Sequence, residues 1–169
     1  MLEKRDLYNN QRKLTGEQIY KGEKIPKDRY ITTVTLFLQN DEQKLLIEKR
    51  SKGKGGKYGF ISGHPKAGET SAEGMVAEVK EELGLQIKKE DITCFFTTKQ
   101  ENSFFDLYYL KKNVNISFLN IQKEEVEDVK WYSMEQIKGL IDNQEFCEKH
   151  IEAYNEIKKY LGGIGIWQQ

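Results

Sequence analysis

The chain has 169 residues, 37% of them hydrophobic and 32% charged, with 27 Lys and Arg offset by 27 Asp and Glu. That length fits one domain with a core that needs neither disulfides nor a structural metal, and the zero net charge argues against a broad basic face for duplex nucleic acid. No run approaches the roughly 18 apolar residues of a membrane span, the opening MLEKRDLYNN lacks the apolar core of a signal peptide, and Cys94 and Cys147, without metal-type spacing, read as free thiols of a cytoplasmic protein.

Residues 1–29 are polar, with apolar marks at Leu7-Tyr8, Leu14 and Ile19-Tyr20 and turn residues at Asn9-Asn10 and Gly16, the pattern of a short hairpin extension. Tyr30–Gln39 is rich in β-branched and aromatic residues and predicts a strand, and Lys44–Arg50 is expected to pair back on it after the turn at Asn40–Gln43. Residues 51–57 (SKGKGGK) predict a flexible basic loop, followed by a short strand at Tyr58–Ile61. Thr70 with Glu73 three positions on is a capping-box signature for a helix that Gly84 stops. Ile92–Thr98 and Ser103–Lys111 predict a strand pair, Val129–Tyr132 a further strand, Ser133 the cap of a helix to Ile141, and Glu145–Leu161 a last helix before a flexible tail at 163–169. The class is α+β, with a main domain at 30–162.

The segment Gly63–Leu85 carries the chemistry. On a wheel of 100° per residue Glu78, Glu81 and Glu82 share an arc of about 100°, while Ala72, Met75, Val76, Val79 and Leu83 fill the flank that packs on a sheet. Like charges at these spacings repel. A hard divalent cation relieves that repulsion, and carboxylate oxygens are what Mg²⁺ or Mn²⁺ prefers. An isolated E-x-x-E-E would suit a solvated acidic face equally well; the residues around it decide. Gly63, Glu69, Glu78, Glu81, Glu82, Gly84 and the hydrophobes Val79 and Leu85 stand at fixed spacings. That pattern resembles the Nudix box, Gly-x5-Glu-x7-Arg-Glu-U-x-Glu-Glu-x-Gly-U, where U is a bulky hydrophobe. The resemblance covers Tyr30 to Ile141. Asp6-Leu7-Tyr8, Thr15-Gly16 and Ile25-Pro26 are similar to the branch related to isopentenyl-diphosphate isomerase.

The resemblance implies a Nudix-type α/β/α sandwich with a mixed sheet, the box forming a loop and helix. It implies metal-dependent hydrolysis of a diphosphate bond in a nucleoside diphosphate derivative or related organic diphosphate, with Mg²⁺ or Mn²⁺ as cofactor. Glu78, Glu82, Glu81 and the Ser62 carbonyl are the implied metal ligands, and Glu69 either orients the loop or binds the metal through water. Glu78, Glu81 and Glu125 are the candidates for general base, with Glu124 and Glu127 as rivals. Arg50, Gly63, His64 and Tyr58 are candidate substrate contacts: the Arg50 fork suits phosphate, and Tyr58, with Phe60, is either a stacking surface or core. His150 is expected on the surface. The position of the box arginine, which in the family pairs with box glutamates and steadies the loop, holds Ala77, and Lys66 or Lys80 is the available cationic substitute. The expected partner is a small-molecule diphosphate, with no membrane and no duplex nucleic acid; a homodimer is left open. The alternatives are a ligand-binding Nudix-like module without turnover, and an isomerase, whose cysteine beside Gly-His-Pro is here Ser62.

Overall fold

A computed structural model describes residues 2–163. Strands β1 (Lys4–Tyr8) and β2 (Leu14–Tyr20) form the expected hairpin, with Asp6 opposite Gln18. The main sheet comprises β3 (Ile31–Gln39), β4 (Leu45–Arg50), β5 (Tyr58–Gly59), β6 (Ile61–Gly63), β7 (Thr93–Gln100), β8 (Ser103–Lys111) and β9 (Val126–Tyr132). Helix α1 (Ser71–Leu83) covers one face, and α2 (Met134–Asp142) and α3 (Ile151–Gly163) cover the other. Along β3, Leu36 and Leu38 enter the core under α1 while Phe37 enters the core under α2 and α3. A strand buried on both faces must be apolar almost throughout, which is why Tyr30–Gln39 shows no clean alternation.

Lys44–Arg50 pairs back antiparallel on β3 as expected, but over a single register position. The two strands meet only at Gln39 and Leu45. Beyond that point each takes another neighbour. β3 runs parallel to β8 from Ile31 opposite Ser103 to Gln39 opposite Lys111, and β4 runs antiparallel to β9. The segment predicted as one strand at Tyr58–Ile61 fills the gap as two: β5 pairs with β4 at Glu48 and Lys49, then β6 pairs with β3 at Val34–Leu36. Phe60 is the crossing residue. Its side chain enters the core, packed on Phe37 and Phe146 at centroid distances of 4.5 and 5.2 Å.

Two further expectations change. The last helix begins at Ile151, not Glu145, because residues 145–147 lie alongside β5: Tyr58 N–H donates to the Glu145 carbonyl at 2.9 Å and Cys147 N–H to the Tyr58 carbonyl at 2.8 Å. His150, expected on the surface, is only 8% exposed. A backbone N–H at a crossing point has no ladder partner and must find one elsewhere; Phe60 N–H donates to His150 Nδ1 at 3.0 Å. Gly59 lets the imidazole approach, since a Cβ there would lie 2.7 Å from Nδ1. Gly163 closes α3, and the rest of the tail expected at 163–169 lies outside the described residues. The 51–57 segment is a bonded turn, not an open loop: Ser51 N–H donates to the Glu125 carbonyl at 3.0 Å and Ser51 Oγ to the Glu124 carbonyl at 2.7 Å.

Burial, and then the Arg50 and Lys149 charges, push the His150 pKa down to about 4. Between that value and the unfolded value near 6.5, the unfolded chain binds more protons, so this contribution to stability rises with pH across the window and is lost on acidification. The contribution amounts to about 3 kcal/mol at full extent. Urea unfolding at pH 4.5 and 7.5 should therefore show a larger acid loss in the native protein than in His150→Gln, whose amide oxygen accepts a hydrogen bond without titrating. Equal losses would place the imidazole outside this role.

Candidate active site

The box folds as local chemistry dictates. Thr70 caps α1 in a reciprocal capping box: Glu73 N–H donates to Thr70 Oγ1 at 3.3 Å, and Thr70 N–H donates to Glu73 Oε2 at 2.9 Å. Gly84 ends the helix at φ 65°, its N–H on the Lys80 carbonyl. Met75, Val79 and Leu83 are fully buried under the sheet, as the wheel requires. Two glycines permit the loop to close on the helix. A Cβ on Gly74 would sit 2.6 Å from Pro65, and a Cβ on Gly63 would sit 2.1 Å from the Glu78 carboxyl carbon. Glu78 Oε1 in turn accepts the His64 backbone N–H at 3.1 Å.

These elements face a cavity of about 630 Å³. Ser62, Gly63, His64, Glu78, Glu81, Glu82, Arg50 and Glu125, all singled out from sequence, line it. Glu69 does not: its carboxylate accepts Lys66 N–H at 2.8 Å and holds the loop. Tyr58 is also outside it, its ring 6.0 Å from that of Tyr132. Lys66, proposed as the substitute for the absent box arginine, forms an ion pair with Glu81. Glu125 pairs with Lys54 at 3.0 Å. Cys147 borders the cavity as well, although nothing in its sequence context signals that.

Electrostatics single out the helix carboxylates. Burial, then the Glu82 charge, raise Glu78 to about 7. Burial raises Glu82 too. Sequence reading missed their neighbour Glu48, which is 4% exposed and pushed well up by burial and by Glu82. The structure shows why: strand side chains alternate, so Leu46 in the α1-side core puts Glu48 and Arg50 on that same face. Three buried side-chain polar atoms among the described residues lack a hydrogen-bond partner, namely Glu48 Oε1, Glu82 Oε2 and Arg5 Nε. Such atoms are costly; Glu82 and Arg5 both line the cavity, and Glu48 acts electrostatically on Glu82 and Glu78. Two are carboxylate oxygens, which suit a hard cation. The third belongs to a guanidinium, attracted to Glu78, which suits an anion. The donor set therefore fits Mg²⁺ or Mn²⁺, although among the described residues no three acidic, His or Cys side chains already converge as a closed metal site.

The NUDIX domain family matches residues 29–154. Two uncharacterized Nudix hydrolases, of Listeria monocytogenes and Listeria innocua, are 35% and 36% identical over 149 residues, covering 86% of this chain and 88% of each relative. Among solved structures, DR0079 of Deinococcus radiodurans superposes with a TM-score of 0.76 at 22% identity, covering 91% of this chain and 98% of that one. The NUDIX domain of Shewanella oneidensis NrtR, solved with ADP ribose, gives 0.62 at 19% identity over 78% of this chain and 88% of its own. The α/β/α sandwich carrying a loop and carboxylate helix is thus the Nudix fold. The chain belongs to the Nudix family and is a pyrophosphohydrolase of that family.

The contact between Gly63 and Glu78 gives a direct test. Gly63→Ala should displace the Glu78 carboxylate and weaken Mn²⁺ binding by about tenfold or more, read by titration of the free ion's paramagnetic resonance signal. Retained affinity would mean Glu78 does not need this seat.

Proposed function

We propose that the chain is a metal-dependent hydrolase of a nucleoside diphosphate derivative or a related organic diphosphate. The observation that carries this reading is that a buried Glu82 oxygen and Arg5 Nε, neither with a hydrogen-bond partner, belong to residues lining one cavity, with a third such oxygen on Glu48, which acts electrostatically on Glu82 and Glu78. Glu78, Glu82, Glu48 and the Ser62 carbonyl would hold Mg²⁺ or Mn²⁺. The bound cation supplies charge neutralisation and polarisation of the diphosphate. Arg50, at the end of β4, and Lys54 offer the cationic counterpart for phosphate oxygens. In the reaction, water adds to one phosphorus, the bridging P–O bond breaks, and each product leaves with a phosphate group. A carboxylate must take the proton from water. Glu81 and Glu125 both line the cavity, and each is tied to a lysine, Lys66 and Lys54 respectively. His64, pushed to about 3 chiefly by burial, is neutral at physiological pH and is available as a hydrogen-bonding contact but not as a cation.

The ligand-binding alternative has less support, because buried carboxylates without a cation destabilise the fold and bring no benefit. The isomerase alternative lacks its cysteine at Ser62, but Cys147 at the cavity edge gives it a specific test.

Glu78→Gln and Glu82→Gln should each lower Mg²⁺-dependent turnover by about 10²-fold or more, and Glu48→Gln by about tenfold. The assay is phosphate release across nucleoside diphosphate sugars, dinucleoside polyphosphates, nucleoside triphosphates and prenyl diphosphates. Near-native rates in both helix variants would remove the metal assignment. The double variant Cys94→Ser, Cys147→Ala should hydrolyse normally; a folded but inactive double variant would favour thiol chemistry instead.

A further inference from the structure

The N-terminal hairpin is bonded directly to the box loop. Ala67 N–H donates to the Lys4 carbonyl at 2.8 Å, and Gly68 N–H donates to Asp6 Oδ2 at 2.7 Å. The other Asp6 oxygen accepts Gln18 Nε2 at 2.9 Å, so the carboxylate is fixed from both sides. The hairpin is anchored again at its tip, where Arg12 makes a bidentate pair with buried Asp106. Arg5 stands between Lys4 and Asp6, the two residues that hold the loop. Its side chain is 13% exposed, its Nε has no hydrogen-bond partner, and its nearest acid is Glu3 at 3.7 Å. The guanidinium lines the cavity with Glu78 and His64 and acts electrostatically on both.

Resting on the reading of the cavity as a diphosphate site, we propose that β1 is a wall of the active site and that Arg5 is a substrate-binding residue that takes a phosphate group of the diphosphate. A guanidinium held beside carboxylates that bind a cation is placed where the anion carried by that cation must lie. Its fork geometry matches phosphate oxygens, and the two flanking bonds fix the backbone from which the side chain projects. Arg5 also repels the cation itself. Its loss should therefore shift the two affinities in opposite directions, which loss of mere structural support would not do.

The test uses the full chain, with Mn²⁺ alone and with imidodiphosphate, a non-hydrolysable diphosphate, followed by calorimetry. Arg5→Gln should weaken imidodiphosphate binding by on the order of tenfold while leaving Mn²⁺ affinity unchanged or tighter, and Arg5→Lys should recover part of the loss. Asp6→Ala should weaken imidodiphosphate binding and speed amide hydrogen exchange at Ala67 and Gly68, with Asp6→Asn closer to the native protein. Unchanged imidodiphosphate affinity in Arg5→Gln, or a joint fall of both affinities, overturns the proposal. If the native protein fails to bind Mn²⁺, the metal reading falls; imidodiphosphate binding without metal, native against Arg5→Gln, still decides the role of Arg5.

Discussion

The close approach of Glu78 to Gly63 organises the site. Because residue 63 has no side chain, the Glu78 carboxylate fills the space a Cβ would take. From that seat Glu78 accepts the His64 N–H, which sets the direction in which the loop leaves the sheet. Pro65 lands on Gly74, Glu69 folds back on Lys66, and Thr70 starts the helix. The contact also forces three acids into partial burial beside each other. The cation proposed for the site would offset that repulsion.

Where this arrangement follows from short-range chemistry, the sequence displays it. The cap at Thr70, the stop at Gly84 and the apolar stripe of Met75, Val79 and Leu83 are all settled within the helix itself. Glu78, Glu81 and Glu82 share a face because helix geometry leaves them no choice. Other features depend on partners far along the chain and are invisible locally. His150 looks like a polar helix residue until Phe60, 90 positions earlier, needs an acceptor. Glu48 looks like one charge among several in Lys44–Arg50, and only the burial of Leu46 beneath α1 reveals which way it points. The short extent of the β3–β4 pairing has the same origin: beyond the tight turn each strand takes a partner far along the chain, β8 for β3 and β9 for β4.

The absent box arginine illustrates how a lost contact is spread over several residues. Ala77 contributes no charge, but Lys66 pairs with Glu81 from within the loop, and β1 holds Ala67 and Gly68 from outside. The hairpin is itself secured by Asp106. Burial alone would raise that carboxyl, but donation from Arg12, Ser71 and Thr97 prevails and keeps it below the ordinary aspartate range. A segment that resembles an appendage is thus joined to the central sheet at one end and to the box loop at the other.

The parallel pairing of β3 with β8 has a consequence for how the molecule assembles. Ile31 meets Ser103 across roughly 70 intervening residues, so the central pair forms only after a long loop has closed, an entropic cost that slows folding. During synthesis the whole box, through Leu85, emerges before β8 exists. A nascent chain at that stage has its acidic helix and capping box but no complete sheet beneath them. Helix α1 on its own exposes Met75, Val79 and Leu83 to water, and a 13-residue helix is marginal without packing. The order of synthesis therefore makes the box segment one of the last parts to become fixed, and slow central pairing leaves its apolar face open to chaperones or aggregation in the interval.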